Sequence, residues 1–251
     1  MPNTELNLWW ESREPSQADD VRRLTTFVNG LTRFDSIYES WLAAPKPGAD
    51  VFPVPLSETG AKRYLMENMA KYDTGGVWPE AGSNVWGGHA GAFPHDFRKS
   101  SYADTRGRIG AFATRASKHP NHIFMRLSDI RPSTGRSWRA SELRPLMKFA
   151  RDIWKPAKMC AMFSFYTLEL PKIADPTWAA GQRPLTPWIG WITYLPSDLA
   201  ARANYPADVE AETLPDGAAL VTLCEEPFDQ TDTQGLARLH ALEAALRPVQ
   251  S

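Results

Sequence analysis

The residues best suited to chemistry in this chain are few, and most stand in settings that do not support it. His119 and His122 form the one close histidine pair, but Pro120 lies between them. They therefore lack the shared helical face of an i, i+4 zinc pair, and no third ligand stands at metal spacing. They read as turn residues ahead of a strand, and no metal site is expected. Gly87, Gly88 and Gly91 belong to a glycine-dense stretch without the strand, helix and Lys-Ser/Thr ending of a phosphate loop, or a dinucleotide pattern. Ser83, Ser100 and Ser101 stand near His89 and His95 in sequence, yet the strand–turn–helix frame that exposes a hydrolase nucleophile is missing. Cys160 is flanked by Met159, Ala161 and Met162, an apolar setting that raises a thiol pKa and suits filling better than attack. Glu225 and Glu226 are adjacent, so on a strand they point to opposite faces and cannot flank one substrate. No catalytic residue and no cofactor are expected. The alternative is a small enzyme with a dispersed site in the glycine-rich loop and the His119–His122 turn.

The elements that would position these residues follow from periodicity. Val21, Leu24, Val28 and Leu31 recur at helical spacing after a capping-box-like Ser16 and Asp19. The stripe resumes as Phe34, Ile37, Tyr38, Trp41 and Leu42, which predicts a helical hairpin or bent helix ending before Pro45, with Gly30 and Asp35 as breaks. Another helix is expected from about Ser57, through Ala61, Tyr64, Leu65 and Met69. Asp73 to Ala92 reads as loop with at most one short strand. Strands are predicted at Ile109 to Thr114, around Ile123 to Leu127, at Met159 to Leu170 and at Trp188 to Leu195, the last two separated by a proline-rich connection. Leu143, Leu146, Met147, Ala150, Ile153 and Trp154 make the strongest helical stripe, stopped by Pro156. Val209 to Leu214 and Ala218 to Cys224 flank Pro215-Asp216-Gly217, a hairpin signal, and Thr233 is expected to cap a last helix with Leu236, Leu239, Leu242 and Leu246 on its apolar face. The prediction is an α+β fold whose mainly antiparallel sheet is built largely from the second half and packed by amphipathic helices. One domain over 1–251 is expected, with a helical part at about 16–72, a sheet-rich part at about 105–230 and a C-terminal helix at about 233–247.

The 251 residues carry 28 Lys plus Arg against 29 Asp plus Glu, a net charge of −1 that excludes a uniformly basic nucleic-acid coat. Counted by region the balance is different. Residues 97–158 hold 15 Lys plus Arg against four Asp plus Glu, a surplus of 11 positive charges. Residues 203–251 hold two against nine, a deficit of seven. The basic stretch is spread over strands, loop and helix and reads as solvated surface, so direct nucleic-acid binding is not expected. The acidic cluster Glu225, Glu226, Asp229 and Asp232 follows an apolar strand and suits a basic partner. The first residues have no signal-peptide pattern, no window of roughly 18 apolar residues suggests a membrane span, and two cysteines fit free thiols. A cytoplasmic protein without membrane contact is expected.

Four segments together carry a resemblance: Leu8-Trp9-Trp10; Phe34-Asp35 with Tyr38 through Trp41; Gly190-Trp191-Ile192-Thr193-Tyr194-Leu195; and Glu225-Glu226-Pro227-Phe228-Asp229. In their order, over nearly the whole chain, the sequence resembles immunity protein family 52 of bacterial polymorphic toxin systems. Members are found beside toxins with a restriction-endonuclease-like nuclease domain, including effectors of the type VI secretion apparatus. The resemblance implies an immunity protein that binds a cognate nuclease toxin stoichiometrically, by covering its active site or blocking its assembly. Glu225, Glu226, Asp229 and Asp232 are the expected toxin contacts, with Trp78 and Trp86 as aromatic anchors. Trp9, Trp10, Gly190, Trp191 and Tyr194 are expected to be structural. Gly190 before a tryptophan suggests a close backbone approach or a bulge.

Overall fold

The computed structural model describes residues 4–10, 17–39, 41–43, 52–53, 86–90, 108–112, 121–127, 131, 134–163 and 189–246. Among these residues ten strands form one antiparallel sheet: β1 (Thr4–Trp10), β2 (Trp41–Ala43), β3 (Phe52–Pro53), β4 (Trp86–Ala90), β5 (Arg108–Phe112), β6 (Asn121–Arg126), β7 (Lys158–Phe163), β8 (Ile192–Leu195), β9 (Glu210–Thr213) and β10 (Ala219–Thr222). Their order across the sheet is β3-β2-β4-β5-β6-β1-β7-β8-β10-β9. Helices α1 (Gln17–Gly30), α2 (Ala140–Trp154), α3 (Ser197–Ala200) and α4 (Thr233–Leu246) complete the described elements, with two 3-10 turns at Leu31–Arg33 and Ser36–Glu39.

The expected α+β class with an antiparallel sheet is what the chain forms, and the sheet reaches further into the first half than expected. Strand β1, a short apolar segment by sequence, sits near the middle between β6 and β7. A central strand is covered on both faces, which explains why Leu6 and Leu8 on one face and Glu5, Asn7 and Trp9 on the other are all buried. Helix α2 joins β6 to β7, so β1 is inserted into the gap of a split β-α-β unit.

The Phe34 to Leu42 stripe is a correction. It forms a 3-10 turn and then β2 rather than a continued helix. The break is at Asp35, whose carboxylate is 1% exposed and held by Arg131 at 3.0 Å, so a tertiary ion pair overrides the helical period. A second correction concerns the last helix: Asp232, not Thr233, is its cap, because the Asp232 carboxylate accepts the N–H groups of Gln234 and Gly235, each at 3.0 Å. The β9–β10 hairpin closes as predicted around Gly217, at φ +83°, with Leu214 and Ala218 bonded across the turn at 2.7 Å. Ser16, the helix expected near Ser57, the connection after Leu170 and the glycine-rich stretch before Trp86 lie outside the described residues.

Candidate functional site

Helix α2 is the element on which the charged surface is organised. Its stripe of Leu143, Leu146, Met147, Ala150 and Trp154 is buried, and Trp154 meets Phe27 of α1 edge to face. That burial fixes the helix's rotation and leaves Arg144, Lys148 and Arg151, at i, i+4 and i+7, along one flank. Opposite them runs β9, where Glu210 and Glu212 share a face by strand alternation. Arg144 pairs with Glu210, Lys148 with Glu212, and Arg151 with Asp216 in the hairpin turn. The surplus of positive charge in the middle of the chain and part of the deficit at its end thus meet within the molecule.

In the two arginine pairs of this row the carboxylate is the outer member, whereas Lys148 and Glu212 are about equally exposed. Glu210 and Asp216 are 61% and 50% exposed, against 18% and 16% for Arg144 and Arg151. Some desolvation acts upward on the Asp216 carboxyl, but the Ala218 N–H and the Arg151 guanidinium outweigh it and hold the pKa below the ordinary carboxylate value. Burial pushes the Tyr194 hydroxyl pKa up, and the positive charge of Arg151 acts against it.

At the N-terminus of α2 a second, more buried set of charges gathers. Arg131 donates to Asp35 at 3.0 Å, to Glu142 at 2.5 Å and to the Phe34 carbonyl at 2.7 Å, while its guanidinium stacks 4.3 Å from the Trp138 ring centre. Glu142 also accepts from Arg136 and from the Arg139 N–H. Burial acts upward on its carboxyl and these donors more than offset it, so its pKa is lowered. Sequence reasoning missed this knot. Its one signal was a charged residue, Asp35, inside an otherwise apolar stripe.

The expected toxin contacts prove to be occupied. Glu225 accepts from the Ser141 N–H and hydroxyl, and its carbonyl accepts from the Ala140 N–H, so it caps α2 from 84 residues away. Glu226 pairs with Arg139 at 2.8 Å and remains 62% exposed. Asp229 accepts from the Thr231 hydroxyl and N–H, which lowers its pKa, and Asp232 caps α4. All four residues are exposed. Trp86 lies on β4 opposite Ala111, and Trp78 lies outside the described residues.

Of the residues expected to be structural, Trp9, Trp10 and Tyr194 lie on strands, and Gly190 and Trp191 directly precede β8. Trp9 is buried, and Trp10 ends β1 opposite Asn121. A Cβ at Gly190 would lie 2.3 Å from the Ala161 carbonyl oxygen, so only glycine permits that approach to β7. Trp191 is fully buried, stacks on Phe163 and donates its indole N–H to the Cys224 carbonyl at 2.7 Å. His122 and His89 fall on β6 and β4, whereas His119, His95, Ser83, Ser100 and Ser101 lie outside the described residues. Burial pushes the Cys160 thiol pKa up, with Glu5 adding to it. Among the described residues no three His, Cys, Asp or Glu side chains converge as a metal site, and no helix is long and apolar enough to cross a membrane.

The family model described as "Immunity protein 52" matches residues 6–247. No curated protein sequence matches the chain. Among solved structures the fold is similar to that of the T6SS protein PA0821 of Pseudomonas aeruginosa, with a TM-score of 0.54 at 11% identity, over 97% of this chain and 73% of that one.

Proposed function

The chain belongs to the immunity protein 52 family, and on that premise we propose that it binds and neutralises a cognate toxin stoichiometrically, acting in the cytoplasm as a single domain. The observation that carries this reading is the family match over almost the full length. The toxin is a nuclease with a restriction-endonuclease-like domain, whose phosphate-holding face is basic. Inhibition follows from occluding that face or from blocking a toxin assembly that activity requires.

The acidic surface supports the reading, and its geometry changes which residues to test first. Glu225 and Asp232 hold helix N-termini, so changing them mixes folding with binding. Glu226 makes a single exposed pair and Asp229 only a local turn, so these two are the cleaner toxin contacts. Charges of this kind chiefly raise the association rate; tight binding comes from anchors at the interface centre, a role we assign to Trp78 and Trp86. Co-expression with the toxin encoded beside this chain should restore growth and give a one-to-one complex on size exclusion. Failure of both would sink the proposal.

A further inference from the structure

Among the described residues, strand β9 ends the sheet order and is bonded on one side only, to β10. Its backbone direction can be read from the hairpin. The Leu214 N–H donates to the Ala218 carbonyl, which makes Leu214 and Ala218 a hydrogen-bonded pair. Antiparallel ladders alternate such pairs with pairs whose backbone groups point away from each other. Glu212 opposite Leu220 and Glu210 opposite Thr222 are then the inward-bonded positions. The N–H and C=O groups of Ala211 and Thr213 point outward, and both residues are exposed.

An outward row of backbone donors and acceptors is a template for another strand unless the edge is blunted. Glu210–Thr213 contains neither proline nor lysine. Its two glutamates are drawn over the α2 face by Arg144 and Lys148, away from the hydrogen-bonding edge.

We propose that the outer edge of β9 docks an extended, cation-bearing strand of a protein partner, through backbone pairing at Ala211 and Thr213. The inference rests on the toxin-neutralising reading and adds a contact at the far edge of the sheet, seven strands along its order from β4 and Trp86. Charge selects the occupant. Asp208, Glu210 and Asp216 beside the edge are 57%, 61% and 50% exposed, and each is further out than the arginine it pairs with. A strand with Lys or Arg at alternate positions meets this row with opposite sign. A second copy of this chain would instead bring Glu210 and Glu212 against their own equivalents, which like-charge repulsion across strands disfavours.

The test uses the full chain and the toxin encoded beside it. Ala211→Pro removes an N–H that β10 does not use, at an edge position where proline is tolerated. The variant should keep its thermal midpoint and bind the toxin roughly 10- to 100-fold more weakly, from lost backbone bonds and the ring's bulk. In the wild-type complex, the Ala211 and Thr213 amides should exchange with deuterium more slowly than in the free chain. Unchanged affinity of a folded Ala211→Pro chain, or unchanged exchange at both amides, overturns the edge and leaves the immunity reading standing. If the variant does not fold, the wild-type exchange decides alone. Absence of any wild-type complex overturns both. A wild-type dimer that Ala211→Pro dissociates would assign the edge to self-association and overturn the basic occupant.

Discussion

The two sets of charges gathered on α2 use the same chemistry and differ in their access to water. At its N-terminus Arg131, Asp35 and Glu142 sit with side chains 10%, 1% and 24% exposed. Along its flank the carboxylates facing Arg144 and Arg151 are half exposed or more. Water screens the flank, so each pair there contributes little and exchanges readily. The knot has no such screening, and its members depend on one another: an isolated charge at Asp35 would keep its desolvation cost without the compensating contact. One set therefore specifies where the chain turns after α1, and the other leaves acidic groups displayed to a partner.

The sharpest way to break this contrast is to remove one partner of the buried set. Arg131→Met should destabilise the protein by about 3–5 kcal/mol, read from urea melts, because Asp35 stays buried without its Arg131 contact. Adding Asp35→Asn should return part of that loss, which distinguishes an uncompensated charge from lost packing on Trp138. A loss below about 1 kcal/mol for Arg131→Met, the range of exposed pairs, would erase the distinction between the two sets.

The contrast also explains what could be read in advance. Helix α2, the β9–β10 hairpin and α4 were legible because local patterns specify them: a 3.6-residue stripe, a glycine at positive φ, a leucine face. The break at Asp35 was legible too, but the strand that follows it was not, nor was its partner Arg131, which lies 96 residues beyond Asp35. The regional charge surplus and deficit were visible, but their mutual neutralisation was not, since it depends on β9 lying beside α2. One clue was available: cations at i, i+4 and i+7 match acids at i and i+2 across a helix and a strand. The Glu225 to Asp232 cluster looked like a binding patch because sequence shows charge and not hydrogen bonds. Two of its four carboxylates are spent on helix termini.

Intermediate effects are expected where the two regions are tied together. Glu225→Ala removes the acceptor at the N-terminus of α2, and Asp232→Ala removes the cap of α4; each should cost about 1 kcal/mol. Glu226→Ala, which breaks only an exposed pair, should fall within about 0.5 kcal/mol. If Glu226→Ala cost as much as Glu225→Ala in thermal melts, the division between structural and displayed carboxylates would be wrong.

The flank pairs should show the smallest stability effects and the largest dependence on solution conditions. A double-mutant cycle on Lys148 and Glu212 should give a coupling of about 0.2–1 kcal/mol that shrinks between low and high salt. A coupling that salt leaves untouched would place this pair with the buried knot. Acid acts on the same row through Asp216. Because its folded pKa lies below the unfolded value, near 3.9 for an ordinary Asp, its stabilisation is fully present above the unfolded value. That stabilisation is lost as pH falls through the folded one. Asp216→Asn should therefore flatten the stability profile only below about pH 4, leaving in place the contributions of Glu142 and Asp229, whose pKa values are also lowered. An equal change at neutral pH and at pH 3 would mean that Asp216 acts through the shape of the turn, where its carboxylate accepts from the Ala218 N–H, and not through its charge.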